Sequence, residues 1–138
     1  MQNITPFSAP ITIGQQLQAE AERRAESMIC AIKERLVPEL VSHFQSQACR
    51  PQAIFLFGSV ARGDPDPGSD ADILVELDAD MPQKTRRTLA REALIAADLP
   101  FACDVIVLTT AEIQRKRLEG NTFFARVNQE KRSVYEQV

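Results

Sequence analysis

Residues 55–75 read FLFGSVARGDPDPGSDADILV, and this stretch decides how the chain folds. The apolar run Ile54-Phe55-Leu56-Phe57 predicts a buried strand, placed at roughly Ala53 to Phe57. Gly58-Ser59 predicts a small-residue turn, Arg62 a helix start, Asp64 to Ser69 a turn-rich loop, and Asp70 and Asp72 the opening of a second strand. Glycine permits a sharp turn and close backbone approach. A serine after it can cap a helix, whose free N–H groups suit an anion. Residues i and i+2 of a strand share a face, about 6–7 Å apart. Two carboxylates so placed repel, and one would ordinarily keep its proton. A divalent cation removes that repulsion, and oxygen-rich acidic sites suit Mg²⁺, which commonly also holds substrate phosphates.

An anion cradle beside a magnesium site implies a nucleotide. A P-loop is excluded: Gly58 and Gly63 have its spacing, but Asp64 and Pro65 stand where Lys and Ser or Thr are needed. The stretch instead resembles the nucleotidyltransferases of the DNA polymerase β superfamily, marked by Gly-Ser followed after a loop by Asp-x-Asp. Ten residues, Val60 to Ser69, separate Ser59 from Asp70. Gly58-Ser59-Val60-Ala61-Arg62-Gly63 and Ser69-Asp70-Ala71-Asp72 look most like the minimal nucleotidyltransferases, small proteins often encoded beside a helical HEPN-domain partner. The resemblance covers about residues 35 to 136. It implies an α+β fold of α/β type: a small mixed sheet flanked by helices, here with an N-terminal helical extension. The expected division is 1–34 for tail and extension and 35–138 for the nucleotidyltransferase domain.

The resemblance also implies a third carboxylate on a neighbouring strand. Asp104 is the only charge in Phe101-Ala102-Cys103-Asp104-Val105-Ile106-Val107-Leu108. A single charge in an otherwise buried strand is costly unless paired or metal-bound. Asp70, Asp72 and Asp104 are thus the expected catalytic and metal-binding residues for two Mg²⁺ ions, and Gly58, Ser59 and Arg62 the expected holders of nucleotide phosphates. ATP, a tyrosine acceptor on a HEPN toxin and an antitoxin role are what the resemblance implies. Two alternatives stand beside it. One is transfer to a small molecule, as in aminoglycoside nucleotidyltransferases, which usually carry an extra acceptor domain. The other is a non-catalytic module that neutralises a partner by contact.

Composition narrows the classes further. The chain has 138 residues, 44% apolar and 25% charged, as expected of one globular domain. A net charge of −3 disfavours nucleic-acid binding as the main activity. No apolar run reaches membrane-span length and no secretory signal is visible, so the expected location is the cytoplasm. Cys30, Cys49 and Cys103 lack metal-type spacing and read as reduced, mostly buried thiols. From Gly63 to Met81 there are seven acids and no base, and from Gln83 to Arg91 four bases and no acid, both read mostly as solvated surface.

Outward from the motif, the pattern predicts a tail over Met1 to Ile13 and a helix over Gly14 to Leu36, with Leu17, Ala21, Ala25, Met28, Ile29, Ile32 and Leu36 as its apolar stripe. Pro38 should kink that helix or start another. His43 is expected to be a helix residue without a chemical role. Ala71 to Leu77 predicts strand two, Pro82 to Ala97 a helix, and Phe101 to Leu108 strand three. Thr109 with Glu112 forms a capping-box pattern, Gly120 ends that helix, and Asn121 caps the last one. Val134-Tyr135-Glu136 predicts a short terminal element.

Overall fold

The computed structural model describes residues 10–137. Helix α1, Ile13–Ala31, starts with Thr12 and Gln15 in a reciprocal capping box. It passes through one π-helical turn, Ile32–Leu36, into helix α2, Val37–Gln45. Pro38 falls in the first turn of α2, where a missing N–H costs least. The widened turn just before it lets one apolar face run on from Met28 to Phe44.

Strand β1 spans Pro51–Phe57, helix α3 Gly58–Arg62, strand β2 Ala71–Leu77 and helix α4 Gln83–Ala97. Strand β3 follows at Cys103–Thr109, helix α5 at Thr110–Leu118, helix α6 at Thr122–Glu130 and strand β4 at Arg132–Glu136. The sheet order is β3-β2-β1-β4, with β2 and β3 parallel and the other pairs antiparallel. The fold is the expected α+β arrangement, a small mixed sheet between helices. The predicted first strand starts two residues early, at Pro51. Thr109 and Glu112 form the predicted capping box, and Asn121 accepts from the Phe124 N–H.

Both faces of the sheet are covered. α1, the π turn, α2 and α4 pack on one face through Ile32, Leu36, Leu40, Phe44, Leu89 and Ala93. They meet Ile54, Leu56, Ile73, Val75 and Leu77 of the sheet. α5 and α6 cover part of the other face through Ile113, Phe124 and Val127, against Phe57, Leu74 and Leu108. This second layer buries Leu74, although Leu74 shares a strand face with Asp72 and Glu76. The stripe of α1 is buried only in its C-terminal half: Ala25, Met28 and Ile29 are core, whereas Leu17 is 60% exposed. The predicted tail over residues 1–13 lies outside the described residues as far as residue 9.

Lys84, Arg87 and Arg91 of the basic run are exposed as expected, and Arg86 is the exception. It is 2% exposed. Its guanidinium donates to the Met81 and Val107 carbonyls and to the Glu112 and Asp80 carboxylates. The Glu112 contact, at 2.7 Å, ties α4 to the capping box of α5. Cys30 is also exposed, not buried, while Cys49 is core. No described helix is long and apolar enough to cross a membrane.

Candidate active site

Three chain segments converge at one edge of the sheet: the end of β1, the start of β2 and the start of β3. The register pairs Phe57 with Asp72 across the antiparallel strands and Asp72 with Asp104 across the parallel ones. Asp72 therefore stands between Gly58 and Asp104. Asp70 lies just outside β2, beside the bond from the Ala71 N–H to the Ala102 carbonyl.

Gly58 turns the chain sharply, with φ of +76°. A Cβ at this position would collide with Asp72 Oδ2 and stand 3.3 Å from Asp72 Cγ. Glycine is needed here twice, for the left-handed backbone and for the close approach of the carboxylate. Ser59 does not cap α3: Phe57 is the N-cap, no side chain caps it, and Ser59 lies within the helix. The helix is only five residues long and ends at Gly63, whose φ is +85°.

Asp72 is half-buried, while Asp70 and Asp104 are exposed. Burial, and then the neighbouring Asp104 and Asp70 charges, push the Asp72 carboxyl above its ordinary range. Cys103 is pushed up to about 12, first by its own burial and then by Asp104. The premise of a buried charge on β3 is corrected. That strand is an edge strand, so Asp104 projects into solvent.

Asp104 is set apart by its neighbours, not by burial. Among the described residues no three His, Cys, Asp or Glu side chains already converge as a metal shell. The paired Asp72 and Asp104, with Asp70 beside them, still fit a divalent cation by charge and donor type. Asp72 is a carboxylate crowded by acids, and the Arg62 charge acts against them to lower its pKa.

Arg62 points back over the turn. It donates from Nη1 to Glu130 at 2.9 Å and from Nε to Asp64 at 3.4 Å. Glu130 also accepts from the Gly58 N–H, at 3.2 Å. Sequence reading missed Glu130, which is 68 residues from Arg62 in the chain. Nothing local marks it. It is one acid at the end of an amphipathic helix, aimed by the packing of α6. The loop after α3 is pinned in place: Pro65 is fully buried, and Arg24 of α1 donates to its carbonyl at 2.6 Å. Ser69 Oγ accepts from the Asp66 N–H, closing the turn. His43 lies on α2, bonded to the Glu39 carbonyl, away from these residues.

A solved structure shares the fold. A candidate nucleotidyltransferase from Sulfolobus solfataricus is 24% identical; the match covers 88% of each chain, with a TM-score of 0.57. A toxin–antitoxin crystal structure with AMP-PNP contains a chain 20% identical, covering 72% of this chain and 73% of that one, with a TM-score of 0.48. No curated protein matches the sequence. The nucleotidyltransferase domain family matches residues 33–132, from the π turn through the first residue of β4. With that match spanning the Gly58 turn and all three aspartates, the chain belongs to the nucleotidyltransferase domain family and is a transferase of nucleotidyl groups.

Proposed function

We propose that this enzyme moves AMP from ATP, with Mg²⁺, onto a tyrosine hydroxyl of a HEPN-type toxin and so acts as its antitoxin. The observation that carries the transfer reading is the Asp72–Asp104 pair set against the Cβ-free surface of Gly58. Asp70, Asp72 and Asp104 would hold two Mg²⁺ ions, which supply positive charge to the triphosphate and acidify the acceptor hydroxyl when bound. The Gly58 N–H, the Ser59 hydroxyl and the Arg62 guanidinium would orient phosphate oxygens. Asp104, exposed on the edge strand, would take the acceptor proton. In the balanced step the acceptor oxygen bonds the α-phosphorus, the bond to the β-phosphate oxygen breaks, and pyrophosphate leaves.

The resemblance to the minimal nucleotidyltransferases supports a protein acceptor. The open setting of Asp104 supports it too, since a protein hydroxyl can reach an edge strand without entering a deep pocket. The test is mass spectrometry of the partner isolated with this protein from its own organism, after incubation with ATP and Mg²⁺. A tyrosine carrying AMP supports the proposal. A partner that is neutralised but never modified would favour the contact-only reading.

A further inference from the structure

Glu130 is an acid at the site whose position the transfer chemistry leaves unexplained. Its carboxylate takes two of the three donors assigned above to phosphate, the Gly58 N–H with Oε1 and the Arg62 guanidinium with Oε2. Two rigid elements deliver it there. Phe124 and Val127 anchor α6 in the core. β4 then pairs directly with β1, Arg132 opposite Leu56. Phe123 stacks edge-on against Phe57, whose peptide precedes the Gly58 turn.

As a stabilising device the contact is poor. The Arg62 side chain is 44% exposed, so the ion pair contributes little to the fold. The carboxylate also adds negative charge to an edge that already carries Asp70, Asp72 and Asp104. A carboxylate bonded to a backbone N–H and an arginine presents the same pair of acceptor oxygens as a phosphate.

We infer that Glu130 is an internal substitute for a nucleotide phosphate: it closes the resting site, and an incoming triphosphate must displace it from Gly58 and Arg62. This inference rests on the nucleotide reading of the site and adds its regulation. Binding of the triphosphate would release the end of α6 from α3. Any partner that draws α6 away would then raise nucleotide affinity.

The experiment is calorimetric titration of wild type and Glu130→Gln with ATP and Mg²⁺, and with adenosine, which has no phosphate. The variant should bind ATP more tightly, by up to about fivefold, the scale of a part-exposed charge pair. Adenosine binding should not change. Equal ATP affinity, weaker ATP affinity or an equal gain for adenosine would each overturn the inference while leaving the nucleotide reading intact. Failure of both proteins to bind ATP would remove that reading, and this inference with it. Binding by the variant alone would support the inference most strongly. Should Glu130→Gln not fold, hydrogen exchange on wild type decides. The last turn of α6 should exchange faster with saturating ATP and Mg²⁺, and unchanged or slower exchange would overturn the inference.

Discussion

Gly58 and Gly63 bracket helix α3 with the same backbone sign, φ of +76° and +85°, but only Gly58 faces a carboxylate. Replacing each by alanine separates backbone strain from damage to the site. A left-handed residue with a Cβ costs about 1–2 kcal/mol. Loss of unfolded-state freedom returns roughly 0.4–1 kcal/mol of that. Gly63→Ala has no heavy atom within 4 Å of its new methyl. It should therefore lose about 1 kcal/mol, or roughly 3–5 °C in Tm for a chain of this size. Gly58→Ala carries the same strain and must also turn the Asp72 carboxylate aside, which adds about 0.5–1.5 kcal/mol for an off-rotamer side chain.

The larger difference lies in function. A reacting group misplaced by about 1 Å costs on the order of 100-fold. Gly58→Ala should lose Mg²⁺-dependent nucleotide binding and transfer on that scale, while Gly63→Ala keeps both near wild type. Thermal unfolding and calorimetry with ATP, with Mg²⁺ or with a chelator, report the two effects separately. Matching functional losses in the two variants would refute the claim that the Gly58–Asp72 contact shapes the site.

Other expectations follow from the same geometry. Burial and like charges raise the Asp72 carboxyl, so the folded chain holds that proton more tightly than the unfolded one. Its charge therefore erodes stability as pH rises above the ordinary value of 3.8. In chelator, Asp72→Asn should melt higher than wild type at pH 7, with the gap closing in acid, and a lower melting point at pH 7 would contradict this. Glu112 shows the opposite sign: its bond to Arg86 holds it below the ordinary 4.5, so its contribution is present above that value and is lost as pH falls from there through the lowered folded value. Glu112→Gln should cost about 1–2 kcal/mol at pH 7, discounted for partial exposure, and the difference in Tm should shrink below pH 4. Arg24→Ala removes the bond to the Pro65 carbonyl, and hydrogen exchange should then speed up over residues 64–69. Unchanged exchange there would mean that buried Pro65 alone holds the loop.

What the sequence disclosed was local. The bounds of β2, the Thr109–Glu112 capping box and the Asn121 cap depend on residues within a few positions of one another. The Gly-Ser turn and the two aspartates are close in sequence because a single strand–turn–strand unit carries them. The features that escaped are set by distant packing. Glu130 reaches Arg62 only because α6 lies across α3, and Arg86 is buried only because α5 brings Glu112 to it. Periodicity marks Leu17 as core, but only the C-terminal half of α1 is buried and Leu17 stays exposed. Asp104 was singled out for the wrong physical reason. An isolated charge in an apolar run suggested a buried strand, whereas the strand lies at the sheet edge and leaves its carboxylate in water.

The most direct test of nucleotidyl transfer at this edge uses ATP labelled on the α-phosphate. Purified protein is incubated with it, Mg²⁺ and a lysate of the organism that makes the protein, beside an Asp70→Asn/Asp72→Asn double variant. A labelled protein band that requires Mg²⁺ and is missing with the double variant is the predicted result. Equal labelling by the double variant would contradict the assignment of transfer to these aspartates.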